Sequence, residues 1–218
     1  MSQKDIFLKS EGDAWFSRNQ QTLADQKLPE DDPLLSEIIE IHNQSGGSTL
    51  KVLEVGCGDG TRLAWLKNNL NADCYGIEPS AQAVSAACEK GLNVQQGTAD
   101  ILPFDDKSCD FVIFGFCLYL CDREDLFRVA QEADRVLRSP GWLMILDFFS
   151  PTPFAKEYHL LPGIFSYKMD YRTLFNWHPD YECVTHRLRG HSDSGYTDEQ
   201  DEWVAASTLR KYSKSLTT

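Results

Sequence analysis

Apolar and polar positions divide the chain into short apolar runs separated by amphipathic stretches. "LKVLEV", "DCYGIE", "NVQQG", "CDFVIFGF" and "GWLMILDFF" read as strands, and the nearly unbroken fourth and fifth suit a parallel sheet buried on both faces. Between them, "TRLAWLKNNL" sets Leu63, Leu66 and Leu70 on one helical face. "PSAQAVSAACEKG" predicts a helix capped by Ser80, with Val84, Ala87 and Cys88 inward and Gly91 stopping it. "DREDLFRVAQEADRVLR" repeats Leu126, Val129, Ala130, Ala133, Val136 and Leu137 at helical spacing, with acids in its first turn and Arg135 and Arg138 in its last. Upstream, Asp32 and Pro33 open a helix carrying Leu34, Leu35, Ile38, Ile39 and Ile41, closed by Gly46 and Gly47. Strand and helix in alternation predict an α/β fold with a doubly wound parallel sheet and right-handed crossovers.

The pattern changes after residue 149. "SPTPFAKEYHLLPGIFSYKMDY" is rich in proline and aromatics, has no clean period, and reads as an irregular insertion over the carboxyl ends of the strands. "YECVTHRLRG" and "DEWVAASTLRKY" follow as two β segments with no helix between them, so they are expected to pair antiparallel. One domain is expected, with an arm at 1–32, a core at 33–149 and an acceptor-side portion at 150–218 completing it. A chain of 218 residues buries roughly 70% of its unfolded surface.

Composition narrows the function classes. No apolar run is long enough to cross a membrane, and the first residues are polar and acidic, so a cytoplasmic protein is expected. The seven cysteines contain no C-x-x-C spacing, which favours reduced thiols over a disulfide framework or a metal site. A net charge of −12 without a Lys/Arg cluster disfavours nucleic acid and leaves a small molecule as the expected partner.

"VLEVGCGDG" then carries the chemistry. Glycine at 56, 58 and 60 suits a tight turn in which a ligand approaches the main chain, at the carboxyl end of a parallel strand. The spacing is one residue tighter than the G-x-G-x-x-G of dinucleotide enzymes, and Glu54 and Asp59 would repel a pyrophosphate. A ligand with a cationic amino group and no phosphate fits better.

The stretch resembles the first motif of class I S-adenosylmethionine-dependent methyltransferases, and the resemblance continues in order through "YGIEPS", "GTADILPFDDKSCDFVIFGFCLYL" and "RVLRSPGWLMILDF". It covers about residues 50–149. It implies a seven-stranded Rossmann-like sheet with an antiparallel C-terminal strand, a small aromatic-rich cap, and S-adenosylmethionine as cofactor. By the same match Glu54 with Gly56, Cys57, Gly58 and Gly60 would hold the amino end, and Glu78 beside Pro79 would accept from the ribose hydroxyls. Asp100 would receive the adenine amino group, Ile101 would flank the ring, and Phe116 and Cys117 would lie near the methionine. Arms like "EGDAWFSRNQ" often close over the cofactor in this family, making residues 1–32 a candidate lid.

The acceptor is less legible. Where the family often has histidines the chain reads "CLYLC", so Tyr119, Asp147 and His159 stand as alternative catalytic candidates. Tyr158, Phe165, Tyr167, Tyr171, Phe175 and Trp177 are expected to wall the acceptor pocket. A cofactor-binding module without catalysis, or a nicotinamide-dependent oxidoreductase on a similar sheet, remain as the other readings.

Overall fold

The computed structural model describes residues 2–46, 48–192 and 195–212, so Gly47 lies outside the described residues. The chain begins with α1 (Gln3–Ile6), which a wide turn at Phe7–Glu11 joins to α2 (Gly12–Ala24). Then follow α3 (Pro33–Gln44), β1 (Lys51–Val55), α4 (Thr61–Leu70), β2 (Asp73–Glu78), α5 (Ala81–Glu89) and β3 (Asn93–Gln96). β4 (Cys109–Gly115), α6 (Leu126–Val136) and β5 (Leu137–Phe148) complete the alternation. The remainder is a hairpin of β6 (Phe154–Glu157) and β7 (Phe165–Lys168), then β8 (Tyr181–Gly190) and β9 (Trp203–Lys211).

Seven strands form one sheet in the order β3-β2-β1-β4-β5-β9-β8. The first five pair parallel, and β9 runs antiparallel between β5 and β8. The expected alternation and the antiparallel terminal pair are both present. Each face of the sheet carries its own core. Leu34, Leu35, Ile38, Leu63 and Leu66 pack on one side, and Val129, Ala133, Val136, Tyr171, Phe175 and Tyr181 on the other.

Several details differ from the sequence reading. Leu137 is the first residue of β5 rather than the last of a helix, because α6 ends where its chain turns into the sheet. Cys88 is exposed, and Ala83 takes the inward place beside Ala87. The expected irregular insertion contains the antiparallel hairpin, in which Phe154 faces Lys168 and Glu157 faces Phe165. Its strands are only four residues long, too short to show a period. Residues 3–24 are helical, started by a capping box in which the Ser2 hydroxyl accepts from the Asp5 N–H and the Asp5 carboxylate accepts from the Ser2 N–H.

Candidate functional site

The carboxyl ends of β1, β2 and β4 open into a cavity of about 220 Å³, roofed by the N-terminal helices. Its floor is the glycine turn. Gly56 sits at φ +75°, and a Cβ there would lie 2.5 Å from the Cys117 Cβ, so only glycine fits. The turn is fixed by its own backbone: the Gly56 N–H donates to the Ile77 carbonyl at 2.8 Å, and Gly60 N–H to the Cys57 carbonyl at 2.9 Å. Gly60, at φ +73°, then leads directly into α4.

Three buried carboxylates surround that floor. Glu78 accepts from the Gly58 N–H and the Ser80 N–H, both at 2.9 Å, which ties the end of β2 to the turn. Each of its oxygens keeps a second acceptor position. Glu54 is ion-paired with Arg62, which also holds Asp32 at 2.6 Å. Burial pushes the Glu54 carboxyl up to about 7 against the pull of Arg62. Its Oε2 is buried without a hydrogen-bond partner. A buried acceptor in that state is costly, and an ammonium or N–H from a ligand would satisfy it.

Asp100 is the third. Its Oδ1 accepts from the Thr98 hydroxyl at 2.6 Å and its Oδ2 from Lys4 at 2.7 Å. Burial works against ionisation there, but the Lys4 and Thr98 hydrogen bonds hold the carboxyl below its usual range. Lys4 bridges on to Asp125 at 2.8 Å.

The cavity brings together Glu54, Gly56, Cys57, Gly58, Glu78, Pro79, Asp100, Phe116 and Cys117 from the expected set. Gly60 shapes the turn beneath it. Ile101 is 60% exposed and lies outside the lining. Asp59 also lines the cavity, its carboxylate accepting from Thr61 and Lys90 and fixing the start of α4.

The catalytic candidates separate. Tyr119 is buried, its ring edge-on to Phe148 at 4.9 Å, and its hydroxyl accepts from the Trp15 indole; burial keeps the phenol protonated. Asp147 is enclosed, with its oxygens taken by the N–H groups of Cys117, Leu118 and Phe148. Burial raises its carboxyl to about 7 despite those donors. It fixes the turn after β4 and offers no open face to the cavity. His159 lies on the surface beside Tyr158, away from the lining.

None of the six aromatics expected to wall the acceptor pocket lines the cavity. Tyr171 and Phe175 bury themselves under α6 with Tyr181, and Trp177 is 70% exposed. Tyr158 packs with Phe7 and Ile164 and accepts from Arg18 at 3.1 Å, fastening the hairpin to the roof. Phe7, Trp15 and Phe116 are the aromatic lining instead.

The site also contains residues that sequence reasoning passed over. Lys4, Arg62 and Arg189 line the cavity, and His191 packs behind Phe116 at 5.7 Å between ring centres. Arg62 had a local signal, since a cation at the second position of α4 stands one turn above Glu54. Arg189 had only its place near the end of an expected strand, and His191 lies just past that strand.

Part of the chain is similar to known methyltransferases. A family model described as a methyltransferase domain matches residues 53–145. An uncharacterized methyltransferase of Bacillus subtilis, YcgJ, is 32% identical over 148 residues, covering 62% of this chain and 54% of the relative. A fatty-acid O-methyltransferase of Mycolicibacterium smegmatis is 30% identical over 129 residues, covering 55% of this chain and 46% of the relative. The chain thus spans about half the length of these curated relatives. Among solved structures, a Burkholderia thailandensis 1,6-didemethyltoxoflavin-N1-methyltransferase with bound 1,6-didemethyltoxoflavin and S-adenosylhomocysteine superposes with a TM-score of 0.70. That match covers 96% of this chain and 89% of the other at 14% identity, a likeness of fold.

Proposed function

We propose, for a chain whose residues 53–145 are a class I S-adenosylmethionine-dependent methyltransferase domain, that the protein transfers the cofactor's methyl group to a small-molecule acceptor. The observation that carries this is the meeting of Glu54, Glu78 and Asp100, from three separate strand ends, around one glycine turn in one roofed cavity. Such an acidic chamber suits a ligand with an ammonium, hydroxyl and amine donors and no phosphate. It argues against a pyrophosphate and so against a nicotinamide cofactor.

When bound, the cofactor supplies an electrophilic methyl on a sulfonium. An acceptor lone pair forms the new bond to that carbon as the carbon–sulfur bond breaks, and its electron pair stays on sulfur. The protein's part is binding, alignment and exclusion of water. Glu78, oriented by the Gly58 and Ser80 N–H groups, would accept from the ribose hydroxyls. Asp100 would take the adenine amino group, and the free Oε2 of Glu54 the donors at the amino end. Trp15 and Phe116 would flank the methionine end, and burial keeps Tyr119 a neutral phenol behind them, its hydroxyl accepting from Trp15. With Asp147 enclosed and His159 outside, an acceptor whose reacting atom already has an open lone pair, or sheds its proton to water, fits better than one needing a strong protein base. The names of the two small-molecule relatives above support the acceptor class.

Calorimetric titration with S-adenosylhomocysteine and separately with NADH tests this reading. The expected result is micromolar binding of the first alone, weakened about tenfold or more by Glu78→Gln and by Asp100→Asn. Binding of NADH instead, or of neither, overturns it.

A further inference from the structure

Three cations line the cavity, and two are already spent. Lys4 lies between Asp100 and Asp125, and Arg62 between Asp32 and Glu54. Arg189, at the cavity end of β8, has no carboxylate within ion-pair distance among the described residues, and its Nε is buried without a hydrogen-bond partner. Asp31 and Asp32 are the acids that face it. Asp32 is committed to Arg62 and to the N–H groups of Leu34 and Leu35, and Asp31 accepts from the Lys27 N–H. A guanidinium keeps its charge in a protein, so a buried N–H with no acceptor marks a position made for an anion.

Behind the aromatic wall, His191, just past the end of β8, packs its ring on Phe148 at 4.8 Å between ring centres as well as on Phe116. Lys168 lies with its Nζ 4.6 Å from the centre of the Phe148 ring. His191 and Lys168 lie outside the lining, Glu202 faces both and Asp201 faces Lys168, and burial holds the His191 imidazole below its usual range, against its charged form. Arg189 therefore stands as the lining cation without an ion pair among the described residues, toward β8, two strands beyond β5, whereas the glycine turn and Glu78 belong to β1 and β2.

We infer that Arg189 is the anion-recognising residue of the acceptor subsite, and that the methyl acceptor carries a carboxylate or similar monoanion on an apolar, ring-sized body. Phe116 and Trp15 supply the flat walls against which that body packs, and Arg189 offers a planar fork of N–H donors that a carboxylate can meet with two oxygens. This rests on the methyltransferase reading. The α-carboxylate of the cofactor presents the same chemistry to a guanidinium, and the experiment separates the two sources.

The test is calorimetry on the full chain saturated with S-adenosylhomocysteine, titrated with 2-naphthoate and with the neutral 2-naphthamide. Wild type is expected to prefer naphthoate by about tenfold or more. Arg189→Gln should bring the two ligands to within about twofold of each other, and Arg189→Lys should restore part of the preference. Affinity for S-adenosylhomocysteine should stay within about twofold in both variants. Absent naphthoate binding, or equal affinity for the two probes in wild type, overturns the inference while leaving the methyltransferase reading intact. A tenfold or greater loss of S-adenosylhomocysteine affinity in Arg189→Gln overturns it in favour of the cofactor's own carboxylate. Failure of wild type to bind S-adenosylhomocysteine removes both readings together.

Discussion

At the glycine turn that floors the cavity, the fastenings include main-chain atoms. Gly56 and Gly60 bond to neighbouring carbonyls, and Glu78 is pinned by two N–H donors. On the cover, the fastenings are long side chains reaching far along the sequence. The Gln3 amide donates to the Leu120 and Phe165 carbonyls and accepts from the Phe165 N–H, 162 residues away. Arg18 joins Glu11 to Tyr158, and Asp13 accepts from the Ser80 hydroxyl and the Gln82 N–H. Main-chain fixings demand one backbone shape and tolerate little. Side-chain fixings can be broken singly, leaving the fold in place. The glycine turn is thus fixed through its backbone and the cover through side chains.

The sharpest way to break that contrast is at Gly56. Gly56→Ala forces a Cβ into Cys117 and a strained φ, and is expected to lower the melting temperature by about 5–15 °C and abolish S-adenosylhomocysteine binding. Thermal denaturation that matches wild type would show the floor to be as pliable as the cover.

Asp147 sharpens the comparison from beneath the floor. Its folded carboxyl lies at about 7 against an ordinary 3.8, so the fold favours the protonated form. The stability it contributes is full below about pH 4 and lost as pH rises through about 7. Asp147→Asn abolishes this titration. Its stability relative to wild type should therefore improve with rising pH, by at most about 1.4 kcal/mol per pH unit across that window. Melting curves from pH 4.5 to 8 check this, and a pH-independent difference would contradict it.

The smallest effect is expected on the cover. Gln3→Ala should change the melting temperature by only a few degrees, yet speed S-adenosylhomocysteine release about two- to tenfold with little change in association. Stopped-flow rates identical to wild type would mean that the N-terminal helices do not close over bound ligand.

The same contrast explains what the sequence disclosed. Floor residues announce themselves locally: Gly56, Gly58 and Gly60 sit in one short quote, and Glu54 and Glu78 each end a visibly apolar strand. The sheet and its helices follow from periods of two and 3.6, so Leu63, Leu66, Val129 and Val136 were recognisable as core. Cover contacts have no such period. Nothing near Gln3 marks Phe165, and the hairpin strands are too short to alternate. The helical arm did have a local sign in Ser2 and Asp5, one capping box apart. The aromatics after residue 149 misled because a ring that stacks on a ligand and a ring that fills a core read alike, and Tyr171 and Phe175 fill a core. Arg189 escaped notice because its role depends on which cations nearby are already paired, a property of three dimensions.

Lys4 gives the cover a second character, that of a counter-ion carried on the gate itself. Seated, its ammonium offsets two carboxylates that would otherwise repel each other, Asp100 and Asp125. Drawn back, it would leave a mouth of unbalanced negative field, which attracts a cation from solution. S-adenosylmethionine bears a sulfonium charge that S-adenosylhomocysteine lacks. An opening that bared those carboxylates would therefore attract the charged donor more strongly than the spent one, lessening competition by the product for the site.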